Sequence, residues 1–125
     1  MSLTVFLVED NPRIRESLVP ALADLGSASV TATAESEREA IGWLARHKNK
    51  WDLAVVDFLL KEGTGLGVVR WCEGRGPRQH VVVLTNYATQ MTRSACLQAG
   101  ADEVFDKSTE LELFFDYCRQ AQPHG

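Results

Sequence analysis

Four predicted strands of this chain end in polar residues of complementary chemistry. Glu9 and Asp10 follow Leu3 to Val8, Asp57 follows Leu53 to Val56, Thr85 closes His80 to Thr85, and Lys107 follows Asp102 to Asp106. Any one of them reads as an ordinary turn residue. Together they define a chemistry. Three clustered carboxylates repel, and a pKa rises unless a cation sits among them. A hard divalent ion with oxygen ligands suits the set, and Mg2+ is the natural candidate. A carboxylate can also act as a nucleophile and carry a covalent phosphoryl group. Phosphoryl transfer asks mainly for positioning and for neutralisation of charge on three equatorial oxygens. The metal would meet one oxygen, the Lys107 ammonium another and the Thr85 hydroxyl a third. Asp10 and Asp57 would bind the metal directly, and Glu9 through a bound water.

These residues meet only if their runs lie in one sheet. Leu53 to Val56 is continuously apolar and rich in branched side chains, as is His-Val-Val-Val-Leu-Thr from 80 to 85. That is the pattern of parallel strands buried on both faces. Ser29 to Ala34 is weakly apolar and threonine-rich, which predicts a strand near the sheet edge. Between the strands run helical patterns. Asn11-Pro12 opens the first, with Asp10 or Asn11 as cap, and Ile14, Leu18, Leu22 and Leu25 face inward. Pro20 should bend this helix, and Gly26 should end it. Ser36 and Glu39 have the form of a capping box ahead of Ala40, Ile41, Leu44 and Ala45. Leu66 to Trp71 is a short helix, expected to be interrupted at Gly67. Ala88 to Ala99 is a helix closed by Gly100. The last helix, capped by Ser108 or Thr109, buries Leu111, Phe114, Phe115 and Cys118. Five strands alternating with five helices predict an α/β, doubly wound parallel sheet with right-handed crossovers. Such a sheet carries its site at the carboxyl ends of its strands. If the first and third strands are neighbours, their ends lie roughly 5 Å apart.

The 125 residues suit one domain, taken as 1–122 with 123–125 as a tail or the start of a linker. A net charge of −4 without a basic cluster argues against direct nucleic-acid binding. Three widely spaced cysteines suggest a reducing compartment rather than a disulfide framework. No run is long enough to span a membrane and no signal peptide is evident, so the expected location is cytoplasmic. Gly63-Thr64-Gly65-Leu66-Gly67 lacks the ending of a phosphate loop and reads as a turn and helix start. His47, His80 and His124 have no ligand spacing, and Trp43, Trp51 and Trp71 read as packing residues.

Glu9-Asp10-Asn11, Asp57 after its apolar strand, Leu84-Thr85, Gly100-Ala101-Asp102 and Lys107 together resemble the receiver domain of bacterial two-component response regulators. The resemblance covers essentially the whole chain. It implies a flavodoxin-like fold with sheet order 2-1-3-4-5. It implies that Asp57 accepts a phosphoryl group from a sensor histidine kinase, a phosphotransfer protein or a small phosphodonor, in a Mg2+-dependent reaction. The domain would catalyse only its own modification and would not be an enzyme toward other substrates. The metal would be held by Asp10, Asp57, the backbone carbonyl of Leu59 and, through water, Glu9. Thr85 and the last strand would move on phosphorylation. The face of the fourth and fifth helices would then change partner, an effector domain or a second copy. Arg13 and Arg15 could meet a kinase, although a solvated helix face is the simpler reading.

Three departures from the family stand out. Ser108 follows Lys107 where proline is usual, so the Lys107–Ser108 bond should be trans. Val104 stands where a switch aromatic is common, and Phe105 should point to the opposite side of the sheet. Leu59 and Tyr87, which would flank the phosphoryl group, are poorly suited to orienting a hydrolytic water, which implies a long-lived phosphoryl group. Two other functions compete. A pseudo-receiver interaction module is opposed by the complete set Asp10, Asp57, Thr85 and Lys107. An aspartyl-phosphate phosphatase would need a second Asp at the position of Leu59.

Overall fold

A computed structural model describes residues 2–122. Its strands are β1 (Leu3–Val8), β2 (Ala28–Ala34), β3 (Leu53–Val56), β4 (His80–Thr85) and β5 (Glu103–Asp106). They alternate with α1 (Pro12–Gly26), α2 (Glu37–Arg46), α3 (Gly65–Trp71), α4 (Gln90–Gln98) and α5 (Leu111–Gln120). All neighbouring strands are parallel, in the order β2-β1-β3-β4-β5. The expected tail at 123–125, with His124, lies outside the described residues.

The continuous apolar strands are central because both of their faces are covered. In β3, Ala54 and Val56 pack with Phe6, Val8, Ala40, Leu44 and Val68 on the α2–α3–α4 side. Leu53 and Val55 pack with Val5, Leu7, Leu18, Leu22 and Phe114 on the α1–α5 side. β2 lies at the edge, and its interior alternates between half-buried and exposed residues, which is why its pattern is weakly apolar.

Several helix ends differ from the sequence reading, each for a local reason. α1 runs continuously through Pro20 and ends at Gly26 as expected, but the left-handed residue beyond it is Ser27, at φ 52°. Gly26 also serves packing: a Cβ there would lie 3.2 Å from the Cβ of Cys118 on α5. α3 is not interrupted at Gly67. The cap of α2 is Ser36, which accepts the N–H of Glu39, but the Glu39 carboxylate reaches back to the N–H of Glu35 rather than closing a box. Neither Ser108 nor Thr109 caps α5. Both donate their N–H groups to Asp106 Oδ1, and Glu110 occupies the cap position. The described chain has no cis peptide bond, so Lys107–Ser108 is trans.

Candidate functional site

β1 and β3 pair through Val8 and Val56, so the residues that follow leave the sheet side by side. Asp57 donates its N–H to the carbonyl of Val8 at 3.0 Å, which fixes the start of its loop against β1. Glu9, Asp10 and Asp57 each bring a carboxylate oxygen to within 4.8 Å of the others. Lys107 arrives from the end of β5, with its N–H on the carbonyl of Thr85 at 3.0 Å. Two strand spacings, roughly 10 Å, separate β5 from β3. A long side chain spans that gap, and the Lys107 ammonium binds Glu9 Oε1 at 2.5 Å and Asp57 Oδ2 at 3.0 Å.

Burial sets the electrostatics. Glu9 is only 2% exposed. Burial raises its pKa above the usual carboxylate value, although Lys107 and the N–H of Asn11 pull it back. Burial pushes the Lys107 ammonium down, but its bonds to Glu9 and Asp57 outweigh that, and its pKa ends above normal. Lys107 therefore stays charged near neutrality. Asp10 Oδ2 accepts the N–H of Lys61 at 2.7 Å, which ties the β3–α3 loop to the end of β1. Asn11 caps α1 through the N–H groups of Arg13 and Ile14. Arg15 is not a solvated side chain: it binds the Glu9 carbonyl at 2.6 Å and Glu35 at 2.9 Å.

Three carboxylates around one ammonium leave an excess of two negative charges. The donor set is entirely oxygen. Both facts fit a hard divalent cation better than a Cys- or His-seeking metal. The carboxylates would supply direct or water-mediated ligands, and the Leu59 backbone belongs to the same loop.

Thr85 is completely buried at the end of β4. Its hydroxyl oxygen accepts the N–H of Tyr87 at 3.2 Å, leaving its own proton to donate. The Tyr87 ring is exposed. Leu59 also exposes its side chain, and it pairs across the loop with Thr64 as a single antiparallel bridge. Val104 is buried on the α2–α3–α4 side. Phe105 lies on the other side against Phe114, with ring centroids 5.7 Å apart, and does not replace the absent aromatic.

One element of this region escaped the sequence reading. Arg93 on α4 donates to the carbonyls of Ala88 and Val104 and to Glu110 Oε1 at 2.6 Å. Glu110 Oε1 also accepts the N–H of Asp106 at 2.9 Å. The bond from Arg93 holds the Glu110 carboxyl below its usual pKa. Arg93 lies on α4 and Glu110 at the cap of α5, and no spacing in the sequence links them.

Residues 5–118 match the family described as the response regulator receiver domain. The chain is 33% identical over 105 residues to the response regulator protein PilR of Pseudomonas aeruginosa, covering 84% of this chain and 23% of PilR. It thus spans well under two thirds of that relative. Among solved structures, the signal receiver domain of the NarL regulator of Mycobacterium tuberculosis superposes with a TM-score of 0.79 at 23% identity, covering 95% of this chain and 97% of that one. A Burkholderia pseudomallei response regulator, described with a phosphorylated aspartic acid, a calcium ion and citrate, gives a TM-score of 0.74 at 24% identity, covering 90% of this chain and 64% of that one.

Proposed function

The chain belongs to the response regulator receiver domain family, and on that premise we propose that it is a phosphorylation-dependent switch whose phosphoacceptor is Asp57. The observation that carries this reading is the Lys107 ammonium bonded to both Glu9 and Asp57, beside Asp10, in a site that retains excess negative charge. The phosphorylated aspartate and calcium described for the Burkholderia regulator belong to the same chemistry.

Asp57 attacks phosphorus through a carboxylate oxygen. The bond from phosphorus to the donor's leaving atom breaks with its electron pair going to that atom, an imidazole nitrogen of a phosphohistidine or the bridging oxygen of an acyl phosphate, and no proton need be removed from the nucleophile. Bound Mg2+ would supply charge neutralisation for one phosphoryl oxygen and the attacking carboxylate. Asp10, Asp57, the Leu59 carbonyl and, through water, Glu9 would hold it. Lys107 neutralises a second oxygen, and the free hydroxyl proton of Thr85 is donated to a third. The donor is a sensor histidine kinase, a phosphotransfer protein or a small phosphodonor. The α4–β5–α5 face, with Arg93, Glu110 and the exposed Leu113, is the output face toward an effector domain or a second copy. No helix among the described residues is long and apolar enough to cross a membrane, and we place the domain in the cytoplasm. It acts on itself and not on a further substrate.

Incubation with acetyl phosphate and Mg2+ should add the mass of one phosphate, absent in Asp57→Asn. Labelling that survives this substitution would overturn the assignment. Leu59 and Tyr87 offer no carboxylate or carboxamide to orient an attacking water, so the phosphoryl group should be long-lived. Its decay in Mg2+ should quicken in a Leu59→Asn, Tyr87→Glu double variant. Loss within about seconds in the wild type, far faster than a shielded in-line site allows, or no acceleration in the variant, would refute the shielding.

A further inference from the structure

We propose that Glu37 is a positioning residue for the metal-binding loop, acting through Thr64 on Leu59; this rests on the reading of the site just given. The loop from Asp57 to Thr64 carries two of the ligands assigned to the ion, and its tip, Lys61 to Thr64, is exposed. Exposed loop tips move unless something holds them. This one is held at both ends, Lys61 by Asp10 and the stretch from Glu62 to Thr64 by Glu37.

Glu37, the first residue of α2, makes two backbone bonds to the tip. Its N–H donates to the Glu62 carbonyl at 3.1 Å, and its Oε1 accepts the N–H of Thr64 at 2.8 Å. The two bonds straddle Gly63, which turns the chain at φ +76°. The carboxylate also fills the space left by Gly67: a Cβ there would lie 2.4 Å from Glu37 Oε2. Two glycines of the Gly63-Thr64-Gly65-Leu66-Gly67 stretch are thus accounted for by an internal carboxylate rather than by a bound phosphate. The third, Gly65, lies against the acceptor itself, since a Cβ there would be 2.1 Å from the Asp57 carbonyl.

The link to the site is short. Thr64, held by Glu37, pairs with Leu59 across the loop, and Gly65 donates to the Phe58 carbonyl at 2.9 Å. Fixing Thr64 therefore fixes the backbone of Leu59. A ligand already in place binds without the entropy cost of ordering it. An acid in the first turn of α2 would favour the helix dipole wherever its side chain pointed. That role requires neither glycine at 67 nor the N–H of Thr64.

The test is calorimetric titration of the metal-free protein with MgCl2, alongside exchange of the Thr64 amide. Glu37→Ala should weaken Mg2+ binding roughly tenfold, the low end of what losing a group that orients a metal ligand costs. Glu37→Gln keeps an accepting oxygen and should stay close to wild type. Gly67→Ala retains Glu37 but expels its carboxylate, and should weaken binding like Glu37→Ala. The double variant Glu37→Ala, Gly67→Ala should be no worse than Glu37→Ala. Thr64 exchange should quicken in both single alanine variants before any metal is added. Unchanged Mg2+ affinity in Glu37→Ala, or unchanged Thr64 exchange, overturns the role of Glu37 alone. A folded wild type that takes up no Mg2+ overturns the metal-site reading and this proposal with it.

Discussion

The two ends of the sheet carry polar clusters made from similar residues, and they balance charge differently. At the amino end, Arg75 donates to the carbonyls of Cys72, Gln79 and Gly100 and to Asp102. Asp102 also accepts the N–H of Val81. Gln79 donates to the carbonyls of Lys48 and Trp51 and accepts the N–H of Gly76. Arg75 and Asp102 cancel in charge, and every bond in the cluster ends on backbone or on the partner ion. At the carboxyl end, three carboxylates share the single Lys107 ammonium. A cluster whose charges close among themselves holds the chain together. One left with excess charge suits the ion and phosphoryl group of the proposed function, at some cost to the fold that contains it.

The strongest test of this contrast is Arg75→Ala. Its side chain is only 13% exposed, and its removal takes the guanidinium donor from the carbonyls of Gln79 and Gly100 and the partner ion from Asp102. It should lower stability by about 3 kcal/mol, a fall in Tm of about 10 °C. Mg2+ affinity in the folded protein should not change. A loss of Mg2+ binding without a loss of stability would break the contrast.

Asp10→Asn should act in the opposite sense at the other end. It keeps an oxygen for the N–H of Lys61 but removes one of the crowded charges. The metal-free protein should melt higher than wild type, while Mg2+ affinity falls by roughly tenfold or more. Calorimetric titration and thermal melts on the same samples read both effects. A variant that lost stability and affinity together would show that Asp10 is a structural residue.

A smaller effect sharpens the role of Glu9. Burial lifts its pKa above the usual 4.5. Between that value and the raised one, the folded chain holds a proton that the unfolded chain has released, so the fold gains as pH falls. Above the raised value the burial cost is fully present. Lys107, whose pKa lies above its ordinary 10.5, keeps its contribution throughout this range and loses it only as pH rises through the raised value. Denaturant titrations of metal-free protein from pH 7 to about pH 5 should therefore show wild type gaining on Glu9→Gln as pH falls. A constant difference between the two would mean that Glu9 does not titrate in that window.

Much of this was legible in the residues. β1, β3 and β4 run where the apolar runs placed them, because a strand covered on both faces must be apolar throughout. The polar residues at the four strand ends were legible for the same reason, since the strands deliver them to one edge. Helix ends were less so. Gly26 did mark the end of α1, but the left-handed position fell to Ser27, and the contact of Gly26 with Cys118 on another helix left no local signal. The supports of the site were hidden altogether. Glu37 lies inside the Ser36 to Glu39 capping pattern, which gave no hint of its partners. Arg15 looked solvated, and Arg93 gave no signal. Their partners are backbone groups and side chains that only the tertiary fold brings near, and local pattern does not encode them.

The bond between Glu9 and Lys107 closes a loop of 98 residues, and this bears on the order in which the chain folds. Contacts that distant are entropically late. Strands β1 to β4 can pair before β5 arrives, and that partial sheet gathers three carboxylates with no ammonium among them. Their repulsion makes the partial sheet a poor resting place. Docking of β5 relieves it by delivering Lys107, as does capture of a cation from solution. The final strand is thus drawn in by charge as well as by the burial of Val104 and Phe105. A chain frayed at β5 and α5 would keep the proposed acceptor Asp57 yet lack the Lys107 ammonium that neutralises it, so on the proposed reading phosphorylation would also report that folding is complete.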